Sequence, residues 1–255
     1  MNAENIFFNK IQYLETVDST NTFLKTGEAE DRTVVYTFNQ TSGRGRENRK
    51  WADFTDKNLA LSILLKDGLT GNTGIINPVW IVAAVSLSVI DILKDCRIID
   101  AWIKWPNDVY ISDKKISGIL AESSWNGGRL EKVIVGIGLN INTGRNDLDS
   151  IDKKAASILS ETGIKHDLMS FSRKFISILD GYFNLLFEKN GINRIKDLWL
   201  SYSKFIGMNA RWTLREKEIY GIVDEILDDG TIVLKSGDIT HKIISGDVEI
   251  LWNQN

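Results

Sequence analysis

The sequence predicts an α+β protein: a mixed β-sheet body covered by helices, followed by a small C-terminal β-barrel. Three observations predict it. Runs rich in β-branched and apolar residues recur between residues 33 and 137, as strands do. Two longer runs carry helical spacing or are apolar throughout. After Gly207 the pattern becomes short strands at intervals of ~8–10 residues, separated by Asp/Gly turns.

Taken in order, Thr33–Phe38 (TVVYTF) alternates and reads as a strand, and a polar, basic stretch runs from Asn39 to Lys57. Leu59–Leu65 (LALSILL) is a second strand. Val79–Ile90 reads as a buried helix, started by Pro78 behind an Asn77 N-cap and ending near Asp91. A dozen residues at ~1.5 Å each cannot cross a ~30 Å hydrocarbon core. Arg97–Lys104 and Asp108–Ser112 are expected as strands around a Trp-Pro-Asn corner, with further strands at Lys115–Ser123 and Lys132–Ile137. Amphipathic helices follow at Ser170–Glu188 and Gly191–Tyr202. The last strands are expected at 210–214, 219–226, 231–235, 240–244 and 248–252. Their turns carry Gly230, Gly237 and Gly246. Domains are therefore expected at 1–206 and 207–255.

Composition narrows the function. A net charge of −3 gives no global attraction to nucleic acid or anionic lipid. The single thiol, Cys96, excludes an internal disulfide and fits a reducing cytoplasm. With two histidines, His166 and His241, it cannot form a Cys/His zinc cluster. No secretory signal pattern opens the chain. No Gly-x-Ser-x-Gly elbow or Ser/Cys nucleophile with a His partner is visible, so triad hydrolysis is unsupported.

The chemistry-bearing residues lie in a few short segments. Ser42–Trp51 holds Arg44, Arg46, Arg49 and Lys50 with Gly43 and Gly45. Arginine forks suit phosphate oxygens, glycines admit an anion to the backbone, and Trp51 offers a face for a ring. A solvated basic turn or an RNA-binding arm accounts for the same composition. Lys104-Trp-Pro-Asn-Asp108 places a lysine at a strand end before a rigid corner, where it could neutralise charge developing in a transition state. An Asx turn after an ordinary surface lysine is the alternative. Gly136-Ile-Gly-Leu-Asn140 lacks the third small residue of a dinucleotide fingerprint. Its glycines leave room either for a ligand or for a bulge. Ser19-Thr20-Asn21 fits a helix N-cap.

Together these segments, with Asp18-Ser-Thr-Asn21, Gln40 and Lys115-Ile-Ser-Gly-Ile-Leu120, resemble the biotin–protein ligases in kind and in order. The resemblance implies an ATP-dependent, AMP-forming biotin–[acetyl-CoA-carboxylase] ligase with an SH3-like C-terminal domain. Such an enzyme makes biotinyl-5′-AMP and transfers the biotinyl group to one lysine of a carboxylase carrier domain. It implies biotin-binding roles for Ser19, Thr20, Asn21, Gln40, Arg44, Gly45, Arg46, Lys104, Gly136 and Gly138. It implies ATP or adenylate contacts for Arg44, Arg46, Arg49, Trp51, Lys104, Asn107 and Asn140, with Lys104 and Arg46 catalytic. Mg²⁺ is expected with ATP, although no carboxylate cluster identifies its ligands.

The family's basic loop carries Gly where this chain has Asn48. Ser19 lies so near the first residue that a monofunctional form without an N-terminal DNA-binding domain is expected. DNA and membrane partners are not expected, a cytoplasmic location is, and a homodimer is compatible with the sequence. The alternatives are a lipoate–protein ligase, whose Arg-Arg and Gly-Gly-Gly signatures are missing, and a nucleic-acid binding module. The second needs cations interleaved with aromatics, which the C-terminal segment lacks.

Overall fold

The computed structural model describes residues 6–46, 49–52, 54–66, 70–71, 74–127, 129–151, 154–214, 217–244 and 246–251. The chain divides into two compact units, Met1–Trp199 and Leu200–Asn255. The division falls inside a helix rather than at the expected 206/207.

In the first unit the elements are β1 (Lys10–Tyr13), α1 (Thr20–Thr26), β2 (Thr33–Thr37), β3 (Leu59–Leu65), β4 (Thr70–Gly71) and β5 (Gly74–Ile75). Then come α2 (Pro78–Asp95), β6 (Trp102–Lys104), β7 (Asp108–Ile111), β8 (Lys114–Asn126) and β9 (Arg129–Leu139). Helices α3 (Arg145–Asp149), α4 (Ile158–Thr162), α5 (Leu168–Phe187) and α6 (Gly191–Ser201) follow, α6 crossing the division. Seven strands form one sheet in the order β1-β2-β3-β9-β8-β7-β6. β1 is parallel to β2 and the other pairs are antiparallel, so the sheet is mixed.

The two faces differ because strand side chains alternate. One face carries Leu59, Leu61, Ile63, Val133, Val135 and Ile137, all buried. Tyr36 pairs with Leu61 on this face, and its hydroxyl reaches Met169 Sδ of α5 at 4.0 Å. Helix α2 packs on β7, β8 and β9 and is covered in turn by α5, which explains why α2 is apolar all round. Tyr182 of α5 donates to Asp91 of α2 at 2.6 Å, and Phe175 and Phe183 are fully buried. The opposite face carries α1, whose Leu24 joins Val35, Leu64 and Ile134 in a small core.

Several boundaries differ from expectation for local reasons. Helix α2 runs on to Asp95, since Ile92 and Leu93 are still buried and Asp91 is held by Tyr182 and Lys94. The strand expected from Arg97 begins only at Trp102. Arg97 is left-handed (φ 64°) and Ile98 N–H returns to Leu93 O, so this stretch closes the helix instead. β8 and β9 extend further than their apolar cores, to Asn126 and Arg129, through a polar hairpin tip whose Gly127 has φ 55°.

The second unit contains β10 (Asn209–Leu214), β11 (Lys217–Ile226), β12 (Ile232–Ser236), β13 (Ile239–Ile243) and β14 (Asp247–Ile250). They form an antiparallel sheet ordered β13-β12-β11-β10-β14 around Ala210, Val223, Ile232 and Leu234. Its hairpin turns fall at Gly230 (φ 83°) and Gly237 (φ 59°), the left-handed region that favours glycine.

Because Phe175 is fully buried between α5 and the rest of the first unit, Phe175→Ala is expected to cost about 3–5 kcal/mol. The shift of the denaturant midpoint measures it. A loss under about 1 kcal/mol would contradict the tight packing assigned to this layer.

Candidate active site

Strand register draws separate sequence signals into one line. Lys104 pairs with Asp108, Asp108 with Gly118, and Gly118 with Gly138. Gly138 pairs with Ala60, and Ala60 with Thr37. Directly paired residues share a face, so these six form a row across six strands on the α1 side. A second row beside it runs Val35, Ser62, Gly136, Leu120. At Ala60, Gly138 and Gly118 nothing longer than a methyl group rises from the sheet.

Trp51 and Asn21 occupy part of the space so cleared. A Cβ at Gly138 would strike the Trp51 indole, and one at Gly118 would meet both Trp51 and the end of Lys115. A Cβ at Gly136 would overlap the Asn21 amide. Lys115 Nζ lies 5.6 Å from the Trp51 ring centroid and donates to Asp108 Oδ1 at 2.6 Å. At the end of the row, Lys104 Nζ stands 5.3 Å over the Tyr110 ring.

The start of α1 supplies the polar end of the site. Ser19 is its N-cap, accepting from Thr22 N–H at 3.4 Å, while its own N–H donates to Asp18 Oδ1 at 2.6 Å. This turns Thr20 and Asn21 onto the sheet, where Thr20 Oγ1 and Asn21 Oδ1 each lie 2.6 Å from Ser62 Oγ. Gln40 Oε1 accepts from Thr20 N–H at 3.0 Å. Asn21 Nδ2 donates to Glu122 Oε2 at 2.8 Å. Ser19, Thr20, Asn21 and Ser62 are all buried.

The basic loop borders the same ground. Trp51 N–H donates to Gly43 O at 3.0 Å and Gly45 N–H to Arg49 O at 2.7 Å. Arg44 Nη2 donates to Thr22 Oγ1 at 3.0 Å and lies 3.7 Å from Glu122 Oε2. Arg46 Nη1 donates to Asn107 Oδ1 at 3.3 Å, and Asn107 Nδ2 to Ile119 O at 2.6 Å. Arg49 Nε turns back to Arg46 O at 3.3 Å. Asn48 lies outside the described residues. Asn140 follows β9, and its Nδ2 is engaged by Ala156 O at 3.0 Å.

Motif reading did not single out three residues of this site. Ser62 is the one hydroxyl in an otherwise apolar strand, which was its visible signal. Lys115 belonged to a quoted motif without a role. Glu122 was hidden because its partners come from α1 and the loop, far away in sequence. Among the described residues no group of three or more His, Cys, Asp or Glu stands together as a metal site. No helix among them is long and apolar enough to cross a membrane.

A bare backbone floor with an amide–hydroxyl cluster at one side and Arg44, Arg46, Lys104 and Lys115 around it suits a small polar molecule bearing anionic groups. The profile of the Biotin/lipoate A/B protein ligase family matches residues 13–140. A biotin–[acetyl-CoA-carboxylase] ligase of Paracoccus denitrificans is 30% identical over 202 residues, covering 77% of this chain and 81% of that one. A bifunctional ligase/repressor of Bacillus subtilis is 29% identical over 246 residues, 93% of this chain and 72% of its own. A solved biotin protein ligase from Aquifex aeolicus, in complex with biotin and ATP, aligns with a TM-score of 0.80 at 29% identity. That alignment covers 96% of this chain and 99% of that one. The chain belongs to the Biotin/lipoate A/B protein ligase family.

Burial pushes the Glu122 carboxyl up, but hydrogen bonds from Asn21 and Lys25 and the charges of Lys25 and Arg44 outweigh it and hold it below its ordinary 4.5. A folded-state value below the unfolded one adds stability above the unfolded value and loses it as pH falls through the folded one. Urea titrations from about pH 6 down to about pH 3 should therefore show wild type losing its advantage over Glu122→Gln. A difference between the two that stays constant through this range would refute the assignment.

Proposed function

We propose that the chain activates biotin with ATP and passes the biotinyl group to a lysine of a carboxylase carrier domain. In the first step a biotin carboxylate oxygen attacks the α-phosphorus of ATP. The bond from that phosphorus to the bridging oxygen breaks, pyrophosphate leaves, and biotinyl-5′-AMP forms. In the second, the neutral amine of the carrier lysine attacks the acyl carbon. The amide forms, AMP leaves, and the amine's proton passes to solvent.

The observation that carries this reading is the row from Ala60 through Gly138 and Gly118 to Asp108 and Lys104. It is a floor of alanine and glycine that ends in a carboxylate and a cation, with Lys115 paired to that carboxylate. Two anions must meet in the first step, so the site needs fixed positive charge and no protein nucleophile. In this reading Thr20, Asn21, Gln40 and Ser62 receive the polar ring of biotin, with Ser19 holding α1 in place. Gly136 and Gly138 let Asn21 and Trp51 sit close against the sheet, where both face the ligand. Arg44, Gly45 and Arg46 cover it. Trp51 faces the adenine ring, with Arg49 and Asn107 on the nucleotide side and Asn140 shaping the wall behind it. Lys104 and Lys115 stand on either side of Asp108, where they neutralise charge building on the carboxylate and phosphate.

Mg²⁺ suits this chemistry as the counter-ion of ATP. Single carboxylates such as Asp108 fit an ion held mainly by phosphates and water. The unit Met1–Trp199 serves as the catalytic body, the C-terminal unit is an appended small β domain, and the enzyme works in the cytoplasm. The lipoate alternative is not favoured, since the similar proteins described above are biotin ligases.

The test is ATP–pyrophosphate exchange. Exchange should appear with biotin and stay at background with lipoate; the opposite pattern would overturn the reading. Lys104→Met keeps most of the stem and removes the charge, so it should fold and lose about 10²–10³ in adenylation rate. Supplied with preformed biotinyl-AMP, the variant should lose less in transfer to the carrier. Near-normal exchange would return Lys104 to an ordinary strand-end lysine.

A further inference from the structure

Glu122 is the one member of the polar cluster that can only accept hydrogen bonds at neutral pH. Its Oε2 takes Asn21 Nδ2 at 2.8 Å and its Oε1 takes Lys25 Nζ at 3.3 Å, with Arg44 Nη2 3.7 Å from Oε2. An ionised carboxylate offers no proton, so the Asn21 amide must present its NH₂ to Glu122 and its Oδ1 to Ser62. Ser62 has one hydroxyl proton, and the Asn21 oxygen 2.6 Å away takes it. With the Ser62 proton taken by Asn21, the 2.6 Å contact between Ser62 and Thr20 uses the Thr20 proton, in preference to the longer 3.4 Å contact of Thr20 Oγ1 with Gln40 Oε1. Each hydroxyl in the line thereby acquires a direction, and Thr20 Oγ1 is left with lone pairs to offer. Asn21 is 5% exposed, Thr20 3% and Ser62 0%, so solvent has little access to reorient them. The bare backbone of Gly136 fixes where the Asn21 amide lies.

We propose that Glu122 is a positioning residue that sets the hydrogen-bond polarity of the Asn21–Ser62–Thr20 line, making Thr20 an acceptor for a ligand N–H group. It touches no substrate. The proposal rests on the reading of this cluster as the seat of biotin, whose ureido ring carries two N–H donors.

Glu122→Gln tests it with almost no change of shape. Lys25, 3.3 Å from Oε1, favours the glutamine oxygen on its side, which turns the NH₂ toward Asn21 and reverses the line. Arg44, at the longer 3.7 Å from Oε2, is the weaker opposing pull. Asn21 then flips, Ser62 donates to Thr20, and the Thr20 proton turns to Gln40 Oε1, 3.4 Å away, so Thr20 keeps one lone pair for the ligand instead of two. Calorimetry without ATP should show biotin binding at least tenfold weaker in Glu122→Gln, with ATP binding alone unchanged. Glu122→Asp is shorter but still acceptor-only, and should retain more biotin affinity than the glutamine variant. Equal affinity in wild type and Glu122→Gln, or an aspartate variant weaker than the glutamine one at matched folding, would overturn the proposal.

A second readout does not depend on biotin. In wild type, nuclear Overhauser contacts should link the Asn21 side-chain NH₂ to the Glu122 methylenes, and in Glu122→Gln to the Ser62 methylene. Unchanged contacts would overturn the polarity argument even if affinity fell. Wild-type protein that shows the expected contacts but binds no biotin would instead overturn the biotin reading and leave the polarity standing.

Discussion

The site depends on the missing Cβ atoms at two paired positions, Gly118 and Gly138. A sheet normally covers both faces with side chains at every second residue, and such a cover leaves no place for a molecule to lie on the backbone. Here the antiparallel register sets these glycines opposite one another and continues the small-residue row to Ala60. Trp51 comes down onto the space that results, and Lys115 beside it. Glycine inside a strand sacrifices roughly 0.5–1 kcal/mol against alanine. The fold accepts that loss where Trp51 and Lys115 come close to the sheet.

The opposite face makes the concession tolerable. Its Leu, Ile and Val side chains are buried under α2, and α5 is joined to α2 through Tyr182 and Asp91. The sheet is thus held rigid from behind, while its front carries α1, Trp51 and the basic loop. Cations crowd that front, and two carboxylates answer them: Asp108 holds Lys115, and Glu122 gathers Asn21, Lys25 and Arg44. Both acids come from strands of the sheet, so the sheet itself fixes where Lys115 and the start of α1 stand.

Much of this was legible in the sequence because it resides in short segments. The LALSILL strand, the buried helix behind Pro78 and the hairpins after Gly207 follow from local patterning, and each is present. What local patterning missed has physical causes. β1 is an edge strand of four residues with little to bury. The tip of the β8–β9 hairpin is polar and exposed on both sides, so no alternation marks it. At Arg97 a left-handed residue ends α2, and the apolar Ile98-Ile99 that followed looked like the start of a strand. The glycines of 136–140 admitted either a ligand or a bulge; the register is regular there, with Gly138 beside Gly118, and Asn21 and Trp51 take the space over Gly136 and Gly138. Glu122 and Ser62 were illegible for another reason: their meaning lies in contacts with Asn21 and Thr20 about 40 and 100 positions away.

The central claim is that the floor must be bare, and Gly138→Ala measures it directly. One methyl group there strikes the Trp51 indole while suiting a strand interior better than glycine does. The quantity to compare is the dissociation constant of a non-hydrolysable biotinyl-AMP analogue for wild type and variant, with thermal midpoints recorded alongside. The account predicts a folded variant whose midpoint falls as Trp51 is displaced, together with binding weakened at least ~tenfold, ~1.4 kcal/mol. Undiminished binding in a folded Gly138→Ala protein would contradict it.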